Sequence, residues 1–130
     1  MIDEIIKQWT QKAENDFKTG NDEFLTNEPA TDMVCFHMQQ CVEKYLKAYL
    51  VFNSKEFRKT HNIAELIDLC KDIDSELDKL YEINAHELTI YASEIRYPDD
   101  FHMPTRDEAK ECIQIATEVK NFIAEKLPKK

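Results

Sequence analysis

Apolar side chains recur at steps of three and four residues along most of the chain, which is the spacing of amphipathic helices. The first such stretch covers residues 2–19, and Gly20 directly after it predicts the end of a helix. A second stretch begins at Thr31 or Asp32, either of which is suited to cap it, and reaches about Phe52. Its apolar face is wide, so we expect this helix at the centre of the fold.

Two further helices follow a polar loop at residues 53–60. The third helix is short, begins near His61 or Asn62 with Thr60 as its candidate cap, and keeps its apolar spacing to residue 73. Asp74 or Ser75 can cap a fourth helix, whose helical spacing continues up to Arg96. The pattern therefore predicts a long fourth helix that follows a short third one.

A proline-containing break separates the fourth helix from the fifth. Pro98 disfavours helical geometry in the residue before it and so ends the fourth helix. Thr105 and Glu108 have the spacing of a capping box, after which a fifth helix runs to about Leu127. The pattern predicts an all-α fold, an up-and-down bundle of four long helices plus a short third helix, in a single domain over residues 1–130.

Composition supports this interpretation and limits the function. The 130 residues include one glycine and four prolines, fewer turn residues than a β-sandwich or barrel of this length needs. The formal net charge is −9, which argues against a broad electrostatic surface for nucleic acid. We therefore expect any contact with RNA to be local or to depend on a partner.

The cysteines fall on apolar or interfacial helical positions and lack the paired spacing of zinc ligands, so we expect buried thiols and neither metal nor cofactor. They are Cys35, Cys41, Cys70 and Cys112. The amino terminus carries acidic residues where a secretory signal needs positive ones, and no apolar run is long enough to cross a membrane. We expect a cytoplasmic protein.

Arg96 and His102 are the residues with the clearest chemical potential. The prolines at 98 and 104 place them near two facing helix ends, with five residues between them. An arginine binds phosphate oxygens through a rigid cationic fork, and a histidine exchanges protons near neutral pH. The alternative is structural: Arg96 is a cation at a helix end, and His102 is a solvated loop histidine.

A polar row on the second helix is a weaker candidate. His37, Gln40, Lys44 and Lys47 share a stripe that either lines a groove or faces water. Arg58 belongs to the one basic loop of this acidic chain. Lys44, Lys47 and Arg58 are therefore candidate ligands for the phosphates of a nucleotide or another substrate.

Three segments together resemble the HEPN family, the small helical domains named for higher eukaryotes and prokaryotes nucleotide-binding. Residues 36–50 are similar to its second-helix pattern, in which a Gln-Gln pair precedes Glu-Lys and Lys-Ala. Residues 59–66 resemble the histidine-led entry to its short third helix, and residues 96–98 resemble its Arg-Tyr-Pro segment. With Trp9 and Ala13 in the first helix, the resemblance covers nearly the whole chain.

The resemblance implies a specific function. Many HEPN proteins are homodimers, are encoded beside a minimal nucleotidyltransferase and act as toxins in toxin–antitoxin pairs. Members with an arginine followed closely by a histidine are metal-independent endoribonucleases whose motifs meet at the dimer interface. Arg96 would then hold the scissile phosphate, and His102 would exchange a proton with the ribose hydroxyl.

The residue after the arginine leaves a second function open. Nuclease members usually have a polar residue there, whereas this chain has Tyr97 and then Pro98. In some members the partner enzyme attaches adenylate to a nearby tyrosine, which makes Tyr97 a candidate nucleotide-contacting residue. The alternatives are a non-catalytic module that docks on a nucleotidyltransferase or binds nucleotide, and a purely structural bundle.

Overall fold

The computed structural model describes residues 2–93 and 102–128, and these residues form only helices and the turns that connect them. None of the described helices is long and apolar enough to cross a lipid bilayer. The predicted all-α class is confirmed. The helices are α1 (Ile2–Phe24), α2 (Thr31–Phe52), α3 (Ile63–Ile73), α4 (Lys79–Glu82) and α5 (Arg106–Lys126), with 3-10 helices at Ser75–Asp78 and Ala85–Tyr91.

Helix α2 is the central helix, as its wide apolar face predicts, and it packs against α1, α3, α5 and the second 3-10 helix. It runs antiparallel to α1, because Lys44 pairs with Asp16 while Lys47, further along, lies over Trp9. Nearly every residue from 41 to 50 is buried. The core therefore forms around one helix that is enclosed on almost all sides.

Helix α5 runs in the same direction as α2. Thr31 at the start of α2 bonds to the carbonyl oxygen of Pro104, and Cys35 contacts Cys112 one turn or more further along each helix. Residues 75–91 return antiparallel to α5, since Glu76 pairs with Lys126 while Tyr91 lies beside Cys112. An up-and-down path therefore joins α1, α2, this segment and α5, with α3 inserted.

The predicted fourth helix is divided in the structure. Asp74 caps its beginning, as expected, by accepting a hydrogen bond from the backbone of Glu76. The helical path is then broken at Asn84, which adopts the left-handed conformation at φ 64°. The break lets Leu80 before it and Leu88 after it both enter the core. The predicted end at Arg96 lies outside the described residues.

Gly20 does not end the first helix. Helix α1 continues to Phe24, and Gly20 is buried within it where α2 crosses closely. A Cβ atom at this position would lie 2.5 Å from Cε of Met38, 3.2 Å from Cβ of His37 and 3.3 Å from the carbonyl oxygen of Val34. The missing side chain thus lets two helices approach, and sequence alone does not distinguish such a contact glycine from a glycine that stops a helix.

Helix ends follow the predictions in part. The capping box of α5 is confirmed, because Thr105 accepts from the backbone of Glu108 while the Glu108 carboxylate accepts from the backbone of Thr105. Helix α3 is capped by Asn62 rather than by the predicted Thr60, and it begins at Ile63, directly after the predicted His61 or Asn62. Thr31 is the first residue of α2, and its hydroxyl donates to Pro104 at 2.7 Å instead of capping its own helix.

One carboxylate joins the three long helices. Glu14 on α1 accepts hydrogen bonds from the Tyr45 hydroxyl on α2 and from Lys120 on α5. Burial and this bond raise the pKa of Tyr45, so its hydroxyl keeps its proton and remains a donor. We call Glu14, Tyr45 and Lys120 the three-helix clasp.

We expect Gly20→Val to lower the free energy of unfolding by about 2 kcal/mol, since added methyl groups would push Met38 and the backbone of α2 away. Urea unfolding followed by circular dichroism measures this loss. Thr19→Val is the matched control, because residue 19 is exposed on the same helix, and we expect it to change stability by less than about 0.5 kcal/mol. Equal effects would show that the close approach has no energetic role.

Candidate functional site

A cleft lies between the second 3-10 helix and the first half of α5. Its volume is about 180 Å³, which is below the roughly 300 Å³ at which sites that enclose small-molecule ligands begin. Its lining combines apolar and acidic side chains: Glu87, Leu88, Ile90, Tyr91, Glu108, Glu111, Cys112 and Ile115. A cleft of this size cannot enclose a nucleotide.

His102 lies at the edge of this cleft. Its Nε2 atom is 3.3 Å from Oε1 of Glu108, the same oxygen that accepts the backbone N–H of Thr105. The Thr105 N–H and the adjacent imidazole hold the pKa of Glu108 below its usual value. Glu108 is thus a carboxylate at neutral pH, positioned by the helix cap and available to orient the imidazole.

Arg96 and Tyr97 lie outside the described residues. They belong to the segment 94–101, which connects the 3-10 helix on one side of the cleft to α5 on the other. Of the two residues predicted to be catalytic, the structure describes only His102. The role of Arg96 stays a prediction.

Lys44 is held away from this cleft, on the side of α2 that faces α1. Its ammonium group is 2.5 Å from Oδ2 of Asp16, whose other oxygen lies 2.8 Å from Nδ1 of His37. All three side chains are largely buried. The polar stripe therefore faces α1 at this level, and a phosphate would have to compete with Asp16 for Lys44.

Lys47 belongs to a buried polar network. Glu43 accepts hydrogen bonds from Lys47 at 2.8 Å and from Gln39 at 3.1 Å, and it lies 2.9 Å from Nδ1 of His61. Burial acts to raise the pKa of Glu43, but the bonds from Lys47, His61 and Gln39 outweigh it and hold the pKa below its usual value. Glu43 is therefore ionised and neutralises Lys47 inside the protein.

Arg58 is exposed and already holds a carboxylate. Its Nε and Nη2 atoms donate to the two oxygens of Glu65 at 2.8 and 2.6 Å, which is the bidentate geometry that arginine also uses with phosphate. Neither Arg58 nor either lysine lines the cleft. The structure therefore does not bring the predicted phosphate ligands together with His102, and their roles stay predictions.

No group of three or more histidine, cysteine or acidic side chains within residues 2–93 and 102–128 is arranged to hold a metal ion. The four cysteines are buried free thiols, as the sequence predicts.

Comparison with known proteins agrees with this helical arrangement. Residues 6–127, almost the whole chain, match the HEPN domain family. The chain belongs to the HEPN family. No curated protein sequence matches it significantly.

Two crystal structures are similar to this HEPN domain. TT1696 from Thermus thermophilus is 25% identical with a TM-score of 0.74, and the match covers 94% of this chain and 98% of that one. ST0689, an archaeal HEPN homologue, is 24% identical with a TM-score of 0.72, and the match covers 93% of this chain and 96% of that one. The second likeness shows the fold alone, and both agree with the family assignment.

Two interactions in the HEPN domain were not predicted from the sequence: the buried network around Glu43 and the contact between Glu108 and His102. Gln39 and Glu43 are buried polar residues, and their spacing of four with Lys47 is the signal that places all three on one helix face. Glu108 was recognised only as part of a cap, although the same cap brings its carboxylate to His102. That second contact depends on the path of the chain before α5, which no local pattern specifies.

The bonds of Glu43 make the free energy of unfolding of the HEPN domain depend on pH in the acidic range. The folded-state pKa of Glu43 lies below the unfolded value of about 4.3, so its bonds stabilise the fold above that pH and are lost as the pH falls through the folded-state pKa. Glu43→Gln should lower the free energy of unfolding at pH 7 by about 3 kcal/mol, because Lys47 is left buried without a counter-charge. Urea unfolding at pH 7 and at steps from pH 5 to pH 3 measures both effects.

The difference between Glu43→Gln and the unsubstituted protein should shrink as the pH falls towards 3. Glu118→Gln, at an exposed position of α5, is the matched control and should follow the unsubstituted protein throughout. A difference that is the same at pH 3 and pH 7 would mean that the pKa of Glu43 is the same in the folded and unfolded protein, which would contradict its stabilisation by Lys47, His61 and Gln39.

Proposed function

We propose that this HEPN protein is a metal-independent endoribonuclease in which Arg96 and His102 act together. The observation that carries the proposal is the position of His102, exposed at the edge of the cleft with its imidazole 3.3 Å from the Glu108 carboxylate. A histidine oriented by a carboxylate is a common arrangement for proton transfer. Arg96, which precedes it with five residues between them, supplies the cation of the motif.

The proposed reaction needs a proton acceptor and a cation at one phosphate. His102 takes the proton of the ribose 2′-hydroxyl, whose oxygen attacks the adjacent phosphorus and displaces the 5′-oxygen of the next nucleotide. Arg96 stabilises the extra negative charge on the phosphate oxygens. Glu108 stabilises the imidazolium that forms. The leaving 5′-oxygen takes a proton from water, His102 returns its proton to solvent, and the products are a 2′,3′-cyclic phosphate and a 5′-hydroxyl end.

The charges of the cleft explain why the cation matters. Glu87, Glu108 and Glu111 line it, and together with the net charge of −9 they would repel a phosphate backbone. A phosphate at His102 therefore needs Arg96, and two arginines from two chains would compensate better than one. The acidic lining thus favours an assembled site over a monomeric one.

We propose a homodimer as that assembly, with the His102 ends of two chains in contact. Ile90 lines the cleft, and Met103 follows His102 directly; their side chains are 57% and 47% exposed. Large apolar side chains exposed beside a polar site are typical of a protein contact. Within a cell, we propose that the dimer is the toxin of a pair whose other member is a minimal nucleotidyltransferase.

The second candidate function is a non-catalytic docking module for a nucleotidyltransferase. The same exposed Ile90 and Met103 favour it, because a partner could cover them without any RNA chemistry. The contacts of Lys44, Lys47 and Arg58 do not strengthen it, since each already holds a carboxylate. Loss of RNA cleavage with retention of partner binding would favour this function.

We expect the purified protein to cleave RNA in the presence of a chelator and to leave 2′,3′-cyclic phosphate ends. Arg96→Ala and His102→Ala should each reduce the cleavage rate by at least about a hundredfold, because each removes charge stabilisation or proton transfer. Cleavage of total RNA, followed by mapping of one preferred site in a short oligonucleotide, measures the rates. A single 2′-deoxy substitution at that site should abolish cleavage.

Arg106→Ala is the matched control for the arginine, because Arg106 is exposed at the start of α5 and stacks on Phe24. It should keep most of the activity, and circular dichroism should show that all variants are folded. Cleavage that survives both Arg96→Ala and His102→Ala would contradict the assignment. Cleavage of the 2′-deoxy oligonucleotide would contradict the mechanism.

The dimer is tested by sedimentation, which should give about twice the 15.4 kDa mass of one chain. Ile90→Asp combined with Met103→Asp should raise the dimer dissociation constant at least about tenfold, because charges would enter an apolar contact. Ile5→Asp is the control, since Ile5 is a similarly exposed residue near the beginning of α1. Equal effects of both changes, or a monomer at all concentrations, would contradict this interface.

A further inference from the structure

Two thiols from distant parts of the chain meet in the core beside the cleft. Cys35 on α2 and Cys112 on α5 are 77 positions apart in the sequence, and their Sγ atoms are 3.2 Å apart. A disulfide bond is about 2.05 Å long, so the sulfur atoms need to approach by only about 1 Å to form one. Both residues are free thiols in the structure.

The two thiols differ in their access to solvent. Cys112 lines the cleft and is 4% exposed, whereas Cys35 is fully buried behind it. A small oxidant that enters the cleft therefore meets Cys112 first. Cys35 is then the thiol in position to react with an oxidised Cys112.

The other cysteines have no such partner. Cys70 has its Sγ atom 4.0 Å from the carbonyl oxygen of Leu46, and Cys41 is buried near the charged groups of Glu14 and Lys120. Among the described residues, Cys35 and Cys112 are the only two thiols in contact. Cys41 and Cys70 are therefore internal controls for the reactivity of the paired thiols.

We propose that Cys35 and Cys112 form a reversible intrachain disulfide when the folded protein meets hydrogen peroxide, and that this bond links α2 to α5 beside the cleft. The proposal is independent of whether the protein cleaves RNA. It rests on the distance between the two sulfur atoms and on the position of Cys112 in the cleft lining.

The reaction balances with hydrogen peroxide as the only oxidant. The Cys112 thiolate attacks one peroxide oxygen, the O–O bond breaks, and the leaving hydroxide takes a proton to become water, which leaves a sulfenic acid on Cys112. The Cys35 sulfur then attacks the Cys112 sulfur, the S–O bond breaks, and the oxygen leaves as a second water with the Cys35 proton. Two thiols lose two electrons, and the peroxide gains them.

The environment makes the first step slow. The hydrogen bond to Cys35 and burial both raise the pKa of the Cys112 thiol, so little thiolate is present at neutral pH. We therefore expect oxidation over hours in millimolar peroxide rather than over seconds. The disulfide should form completely at long times, because the second thiol is already in contact.

The experiment oxidises the folded protein with hydrogen peroxide, removes the peroxide with catalase, and alkylates the unfolded protein with N-ethylmaleimide. The number of alkylated cysteines should fall from four to two, with an intact mass about 2 Da lower before alkylation. Peptide mapping should find residues 35 and 112 in one linked peptide. The thermal unfolding midpoint should rise by about 5 °C or more, and dithiothreitol should reverse both changes.

Variants separate the paired thiols from the isolated ones. After oxidation Cys112→Ser should keep three alkylatable thiols. Cys35→Ser should form no intrachain disulfide and should lose only the Cys112 thiol, as a sulfenic or higher acid, whereas Cys41→Ser combined with Cys70→Ser should lose both of its remaining thiols to the disulfide. Peptide mapping of the unsubstituted protein decides the question even if a variant fails to fold. Four alkylated thiols after prolonged exposure, a sulfinic acid at Cys112, or a link between two chains would each overturn the proposal.

Discussion

The burial of helix α2 is the constraint on which the rest of the structure depends. A helix enclosed by α1, α3, α5 and the second 3-10 helix cannot send its polar side chains to water, so each one needs a partner inside the protein. Glu43 meets this need for Lys47 and Gln39, and Asp16 meets it for Lys44. The two lysines of α2 that the sequence suggests as phosphate ligands therefore form ion pairs inside the folded protein.

Local patterns predict most of this fold because its elements are mainly set by helical spacing and caps. The capping box at Thr105 and the central position of α2 follow directly from the sequence. Gly20 and Asn84 did not follow, since each responds to a neighbouring helix: one allows α2 to approach, and the other turns the chain so that both flanking segments reach the core. The contacts between His102 and Glu108 and between Cys35 and Cys112 likewise depend on tertiary packing, which spacing alone does not encode.

For the proposed cleavage of RNA, the cleft combines features that oppose one another. Its glutamates disfavour phosphate, yet the carboxylate of Glu108 lies 3.3 Å from the imidazole of His102. If RNA binds there, the cations that attract its phosphates must come from the segment 94–101 or from a second chain. Such a site would be inactive as a single folded unit and would respond to whatever controls its assembly.

The three-helix clasp has a consequence for how the molecule opens. If α1 separated from the bundle alone, the Tyr45 hydroxyl would lose its acceptor and Lys120 its counter-charge. The loss of these bonds adds to the free-energy cost of exposing apolar surface, so detachment of α1 alone is unfavourable. The clasp thereby couples the unfolding of the amino-terminal helix, which in many small bundles frays independently, to that of α2 and α5.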